Sequence, residues 1–190
     1  MKSFERAFEA CRTQTFNALE NGYDVKAILW HQGETDYFKQ GPANYYDNLK
    51  ILIAHMRQFI YQQTGQTAAL SLPFILGTVP HVGILYNAQV EAAQKRVAQE
   101  DDHVFAIDLS EVSLQGDGLH FDVESGRYFA NQVCQQLVAL GICKAIDVEA
   151  ITSPSTLHPS PSTLYTLSAR PATAGHHGIV VQKGQKWVKR

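Results

Sequence analysis

Apolar positions along the chain switch between two spacings. From Phe4 to Leu19 the residues Phe4, Ala7, Phe8, Cys11, Ala18 and Leu19 recur at helical intervals, and Asn21-Gly22 supplies a stop. The segment 25–30 (VKAILW) is apolar at five of six positions, the pattern of a strand covered on both faces in a parallel sheet. A polar loop leads to a predicted helix over 44–63, with Tyr46, Leu49, Ile53, Met56 and Ile60 on one stripe. The alternation then repeats as a strand over 70–79, a helix over 87–99, a strand over 104–109 and a helix over 125–140 that Gly141 closes. Such alternation predicts an α/β fold, a three-layer α/β/α sandwich around a largely parallel sheet. Three strands are fewer than the roughly five of a doubly wound domain, so the sheet is expected to be incomplete at its N-terminal side.

The pattern breaks near residue 150. The stretch 151–163 (ITSPSTLHPSPST) is rich in Ser, Thr and Pro and reads as a linker, separating a domain over 1–150 from residues 164–190. There Leu164–Leu167, Gly178–Val181 and Trp187–Val188 are short β-prone stretches between turn residues, expected to form a small C-terminal β appendage.

Composition narrows the classes of function. The chain has 190 residues, 45% of them hydrophobic, and no apolar run approaches the ~20 residues that span a bilayer. A formal charge of -2 leaves no basic footprint for nucleic acid. Cys11, Cys134 and Cys143 are too few and too far apart for a disulfide framework or a tetrahedral zinc site. His55, His81 and His103 read as ordinary surface or helix positions.

Candidate chemistry gathers in two loops. His31-Gln32-Gly33-Glu34-Thr35-Asp36 directly follows the first predicted strand, at the strand end where open α/β sheets bind ligands. The Gln32 amide can donate to an oxyanion, and Gly33 allows close backbone approach. The same residues also suit a polar loop in which Glu34 only ties down neighbouring amides. Gly116-Asp117-Gly118-Leu119-His120-Phe121 follows the third strand. A carboxylate three residues before a histidine can accept its Nδ1 proton and leave Nε2 free as a base. An exposed Asx turn with an incidental histidine is the other reading.

Taken together, ILWHQGETD and GDGLHFD resemble the third and last sequence blocks of SGNH-type carbohydrate esterases, in the branch of sialate O-acetylesterases and acetyl xylan esterases. The resemblance runs over about residues 4–140. It implies an SGNH/flavodoxin-like fold and a hydrolase that removes O-acetyl groups from sugars by a Ser-His-Asp mechanism. By that resemblance His120 is the base, Asp117 its partner, Gln32 and Gly33 serve the oxyanion and substrate, and His31 and Glu34 shape the loop. It implies an acetylated carbohydrate as substrate and no metal or organic cofactor. The family's serine sits in a G-Q-S-N loop, and that sequence occurs nowhere here. The serine block is expected to lie before Met1, which leaves this stretch with little or no esterase activity of its own.

LYTLSARPATAGHHGIVVQKGQKWVKR resembles the end of a type IX secretion sorting segment, with Ala169 where glycine is usual and Val180 in place of an aromatic. That resemblance implies secretion machinery as a partner and an extracellular or cell-surface location. Two rival functions stay open: a metal-dependent hydrolase built on His31, Glu34, Asp117 and His120, and a non-catalytic carbohydrate-binding or degenerate esterase.

Overall fold

The computed structural model describes residues 2–38 and 41–144, together with the strand backbone of 165–166, 178–182 and 185–189. Two units separate, Met1–Cys143 and Lys144–Arg190. In the first, α1 (Lys2–Gln14), β1 (Ile28–His31), α2 (Gly41–Thr64), β2 (Phe74–Gly77), α3 (Ala88–Glu100), β3 (Val104–Ile107) and α4 (Val123–Ala139) follow one another, with 3-10 turns at Phe16–Ala18, Glu34–Tyr37 and Thr67–Ser71.

The three strands form one parallel sheet in the order β1-β2-β3, in register Ile28↔Phe74 and Phe74↔Val104. Side chains alternate along each strand, so one sheet feeds two cores. Phe74 and Leu76 of β2 join Ile28, Val104 and the inner faces of α2 and α3. Ile75, between them, points to the opposite face and packs with Ile107, Leu109, Val112 and Val133 of α4. Phe74, Ile75 and Leu76 are fully buried. Each such side chain contributes about 1.5–3 kcal/mol by leaving water, so the central strand anchors both layers. The three-layer α/β/α arrangement around a parallel sheet is therefore as expected.

Helix α2 buries Tyr45, Leu49, Ile53, Met56 and Ile60. Its stripe enters the core one residue earlier than the sequence suggested, through Tyr45, while Tyr46 lies partly outside and hydrogen-bonds to Glu100. Arg57, on the buried side of α2, donates to the Leu72 carbonyl (3.0 Å), the His103 carbonyl (3.1 Å) and Asp101 (2.7 Å), holding the segments that enter β2 and β3. Helix α1 lays Phe4 and Phe8 on Phe59 of α2, with ring centroids 5.8 and 5.9 Å apart.

Element ends differ from expectation for local reasons. Helix α1 stops at Gln14 rather than Leu19, where the Thr13 hydroxyl turns back to the Glu9 carbonyl at 2.8 Å. The strand expected over 70–79 shortens to Phe74–Gly77, because residues 67–71 wind into a 3-10 turn and Pro73 has no N–H to give a ladder. The strand expected over 25–30 begins at Ile28, since the Val25 amide bonds instead to the Gln66 side chain at 3.1 Å. The strand expected over 104–109 ends at Ile107.

The second unit contains β4 (Tyr165–Thr166), β5 (Gly178–Gln182) and β6 (Gln185–Lys189), an antiparallel sheet in that order with Tyr165↔Val181 and Gly178↔Lys189 in register. The linker expected over 151–163 lies outside the described residues, as do most residues of the C-terminal resemblance.

Candidate active site

Both sequence-derived loops leave the carboxyl ends of strands on the same side of the sheet. After β1 the chain turns sharply at Gly33, whose φ of +154° is a conformation side chains rarely adopt. A Cβ built there would lie 2.7 Å from Val79 Cγ1 and 3.1 Å from Gln94 Nε2. Glycine thus lets the loop press against the segment leaving β2. The 3-10 turn that follows is closed by Gln32, whose amide donates to Thr35 Oγ1 (3.1 Å) and Asp36 Oδ2 (2.6 Å). Both of its N–H groups are therefore engaged within the loop. The Gln32 carbonyl accepts from Tyr45 Oη (2.8 Å) and from the fully buried Gln94 (2.9 Å). Burial pushes the Tyr45 phenol up to about 12, so it remains a donor.

His31 ends β1 on the α4 face, between the rings of Phe121 and Phe129 at 4.8 and 5.7 Å. Its Nε2 is 3.5 Å from Glu34 Oε1, near enough for the carboxylate to favour an imidazolium. Burial works the other way and outweighs it, holding the His31 pKa below the usual histidine value. His31 is accordingly a neutral, packed ring rather than half of an ion pair.

The second loop is an Asx turn closed on a histidine. Asp117 Oδ1 accepts the backbone N–H groups of Leu119 (2.9 Å) and His120 (3.0 Å), while Oδ2 lies 2.6 Å from His120 Nδ1. Gly118, at φ +69°, takes the left-handed position the turn needs, whereas Gly116 has no positive φ. The base of the turn is fastened by an antiparallel bridge between Leu114 and Phe121 and by the Gln115 N–H donating to the His120 carbonyl at 2.8 Å. The side-chain hydrogen bond with His120, then the two backbone donors, hold the Asp117 carboxyl far below the ordinary carboxylate range. Ionised Asp117 can only accept, so the proton sits on Nδ1 and the neutral ring keeps its lone pair on Nε2. The His120 side chain is 71% exposed, which leaves that lone pair open to an incoming group.

The structure brings some of the predicted residues together and not others. Glu34 shares a small cleft with Gly118 and Leu119. His31 packs at a tilt against Phe121, the neighbour of His120. Gln32 instead lines a separate groove of about 500 Å³ with Trp30, Asp36, Tyr45 and Leu52. Among the described residues no three His, Cys, Asp or Glu side chains gather closely enough to share a metal ion, so His31, Glu34, Asp117 and His120 do not form one ligand set. Sequence reading missed Gln94, which donates to the Gln32 carbonyl and accepts the Val79 N–H at 3.0 Å. It also missed Glu91, which binds His81, Tyr86 and Lys95. Polar residues on the inner side of α3 were the available signal.

A family model described as carbohydrate esterase, sialic acid-specific acetylesterase, matches residues 2–139. Among solved structures, a protein from Arabidopsis thaliana is similar with a TM-score of 0.58 and 24% identity, over 75% of this chain and 52% of that one. The chain thus spans about half the length of that protein, a likeness that concerns the fold. No curated protein matches the chain.

Proposed function

The chain belongs to the carbohydrate esterase family of sialic acid-specific acetylesterases, and from that premise we propose that it carries the base side of an enzyme that removes O-acetyl groups from sugars. The observation that supports this reading best is the 2.6 Å contact between Asp117 Oδ2 and His120 Nδ1 in a turn that leaves Nε2 exposed. In this mechanism His120 Nε2 takes the proton of a nucleophilic serine as it attacks the acetyl carbonyl. It then returns the proton to the departing sugar oxygen. Asp117 holds the tautomer and balances the imidazolium that forms between the two steps.

The remaining groups have supporting roles. The oxyanion role of Gln32 rests on the family resemblance, and it requires the amide to leave Thr35 and Asp36 and turn out of its own groove. Gly33 keeps the backbone close, and His31 and Glu34 hold the loop in shape. Among the described residues the side-chain partner of the His120 ring is Asp117, and the proposal takes its nucleophile from a G-Q-S-N block of the family's kind. The C-terminal resemblance extends the proposal to an enzyme exported to the cell surface, where acetylated glycans are met.

The test joins this chain to a serine-bearing G-Q-S-N segment of a family member and measures acetate release from O-acetylated sialic acid and from acetylated xylo-oligosaccharide. Turnover that falls by about 10²–10⁴-fold in His120→Ala supports the assignment. Turnover unchanged by that substitution, or glycan binding with no turnover in the joined protein, overturns it.

A further inference from the structure

We propose that Glu91 is a positioning residue for the Asp117–His120 turn, acting through the loop between β2 and α3. Glu91 lies in the first turn of α3 with its side chain only 10% exposed. Its carboxylate accepts from Tyr86 Oη (2.9 Å), engages His81 Nε2 (3.0 Å) and pairs with Lys95 Nζ (2.6 Å). Burial opposes ionisation there, but the bonds from Lys95, Tyr86 and His81 together outweigh it and keep the carboxyl below its usual range. A carboxylate with this many donors can stay charged in a largely water-free place.

His81 and Tyr86 are the two ends of one loop, and their rings stand 4.6 Å apart. A single carboxylate therefore pinches the loop at its base. What the pinch holds out is Gly83 and Ile84, and both meet the Asp117–His120 turn. A Cβ built on Gly118 would lie 3.7 Å from Ile84 Cγ2, and one built on Gly83 would lie 3.4 Å from Leu114 Cδ1 and 3.7 Å from the Gly118 carbonyl. Gly83 shares a cleft of about 10 Å³ with Leu114, Gly118 and Leu119, so loop and turn lie side by side, with Ile84 at the rim and 74% exposed.

That contact is one of two that hold the turn, the other being Phe121, which packs on His31 and Phe129. The Asp117 and His120 side chains are 48% and 71% exposed, and the hydrogen bonds around them lie within the turn and its own base. Those bonds fix the shape of the turn. Its direction relative to the sheet is set on one side by Phe121 against His31 and Phe129, and on the other by Gly83 and Ile84. A polar residue at position 91 thereby acts on the aim of His120 Nε2 without touching it.

The inference rests on reading Asp117 and His120 as the working pair, but its test follows geometry rather than turnover, so the two can fail separately. Isotope-labelled full chain is compared with Glu91→Gln and with Ile84→Gly, which removes the contact and leaves the Glu91 bonds intact. Two quantities are read: amide hydrogen exchange and the imidazole nitrogen resonances of His120. In Glu91→Gln, exchange should rise about tenfold or more at residues 82–86 and 117–120, with the His120 nitrogens shifted and the β2 amides unchanged. Ile84→Gly should reproduce the effect at 117–120 and at His120. Wild-type exchange at 117–120 and unshifted His120 nitrogens in Ile84→Gly overturn the proposal, whatever Glu91→Gln does. If Glu91→Gln does not melt cooperatively, Ile84→Gly alone decides.

Discussion

A methyl group on Gly33 would press to 2.7 Å of Val79 Cγ1 and 3.0 Å of Val90 Cγ1, at a φ side chains avoid. Gly33→Ala should therefore cost about 1–3 kcal/mol of overpacking, read as a lower urea midpoint with unchanged slope. His31 gives a prediction of a different kind. Its pKa is lowered in the folded chain, so the unfolded chain takes up the proton first as pH falls. Stability conferred by the neutral ring is complete above the unfolded value of about 6.5 and declines as pH drops toward the lowered folded value. The loss of stability from pH 7 to pH 5 should be smaller in His31→Gln than in wild type, measured by denaturant unfolding across that range. An equal loss in both would show that the ring titrates no differently in the folded chain. At this scale the Asp117–His120 pair was legible in the sequence, because a three-residue spacing closed by a glycine is a local geometry. The state of His31 was not, since its burial depends on Phe121 and Phe129, which are distant in the sequence.

Between elements, Gln94 is the residue whose role was hidden. It lies on α3 with no exposed surface, yet it bonds to the Gln32 carbonyl after β1 and to the Val79 N–H after β2. Gln94→Leu fills the same space but strands the Val79 N–H and leaves the Gln32 carbonyl to Tyr45 Oη alone, so a loss of about 1–3 kcal/mol is expected. Faster exchange of the Val79 amide should accompany it, and an unchanged melting curve would contradict the role. Helices and strands themselves were readable from period alone, as Leu49, Ile53, Met56 and Ile60 of α2 show. Their ends were less so. Pro73 lacks a donor for the ladder and the Gln66 side chain takes the Val25 N–H, neither of which periodicity registers.

Across the first unit, β1 lies at the edge of the sheet, and Leu29 on its α4 face is 55% exposed. Among the described residues one rim of β1 has no strand partner, and such an edge beside an exposed apolar side chain is a site for edge-to-edge association. The chain should therefore show concentration-dependent self-association by light scattering, and Leu29→Lys should reduce it while leaving the melting temperature nearly unchanged. A monomer at every concentration tested would remove the edge as a contact surface. The three-strand sheet was anticipated from a strand count, which needs only the number of apolar runs. That β2 is the central strand, with β1 and β3 at the edges, required the order β1-β2-β3.

By itself the sequence determined the α/β class, the alternation of elements, the two candidate loops and the spacing that lets Asp117 meet His120, because each rests on spacing within a few residues. Tertiary structure decided the rest: that Gln32 spends its amide within its own loop, that Glu34 rather than Gln32 shares the cleft of the His120 turn, and that Glu91 and Gln94 tie the loops to α3. Those outcomes turn on which residues, tens of positions apart, the packing of helices onto the sheet brings within hydrogen-bond reach. A polar side chain carries no mark in the sequence of the partner it will find once buried.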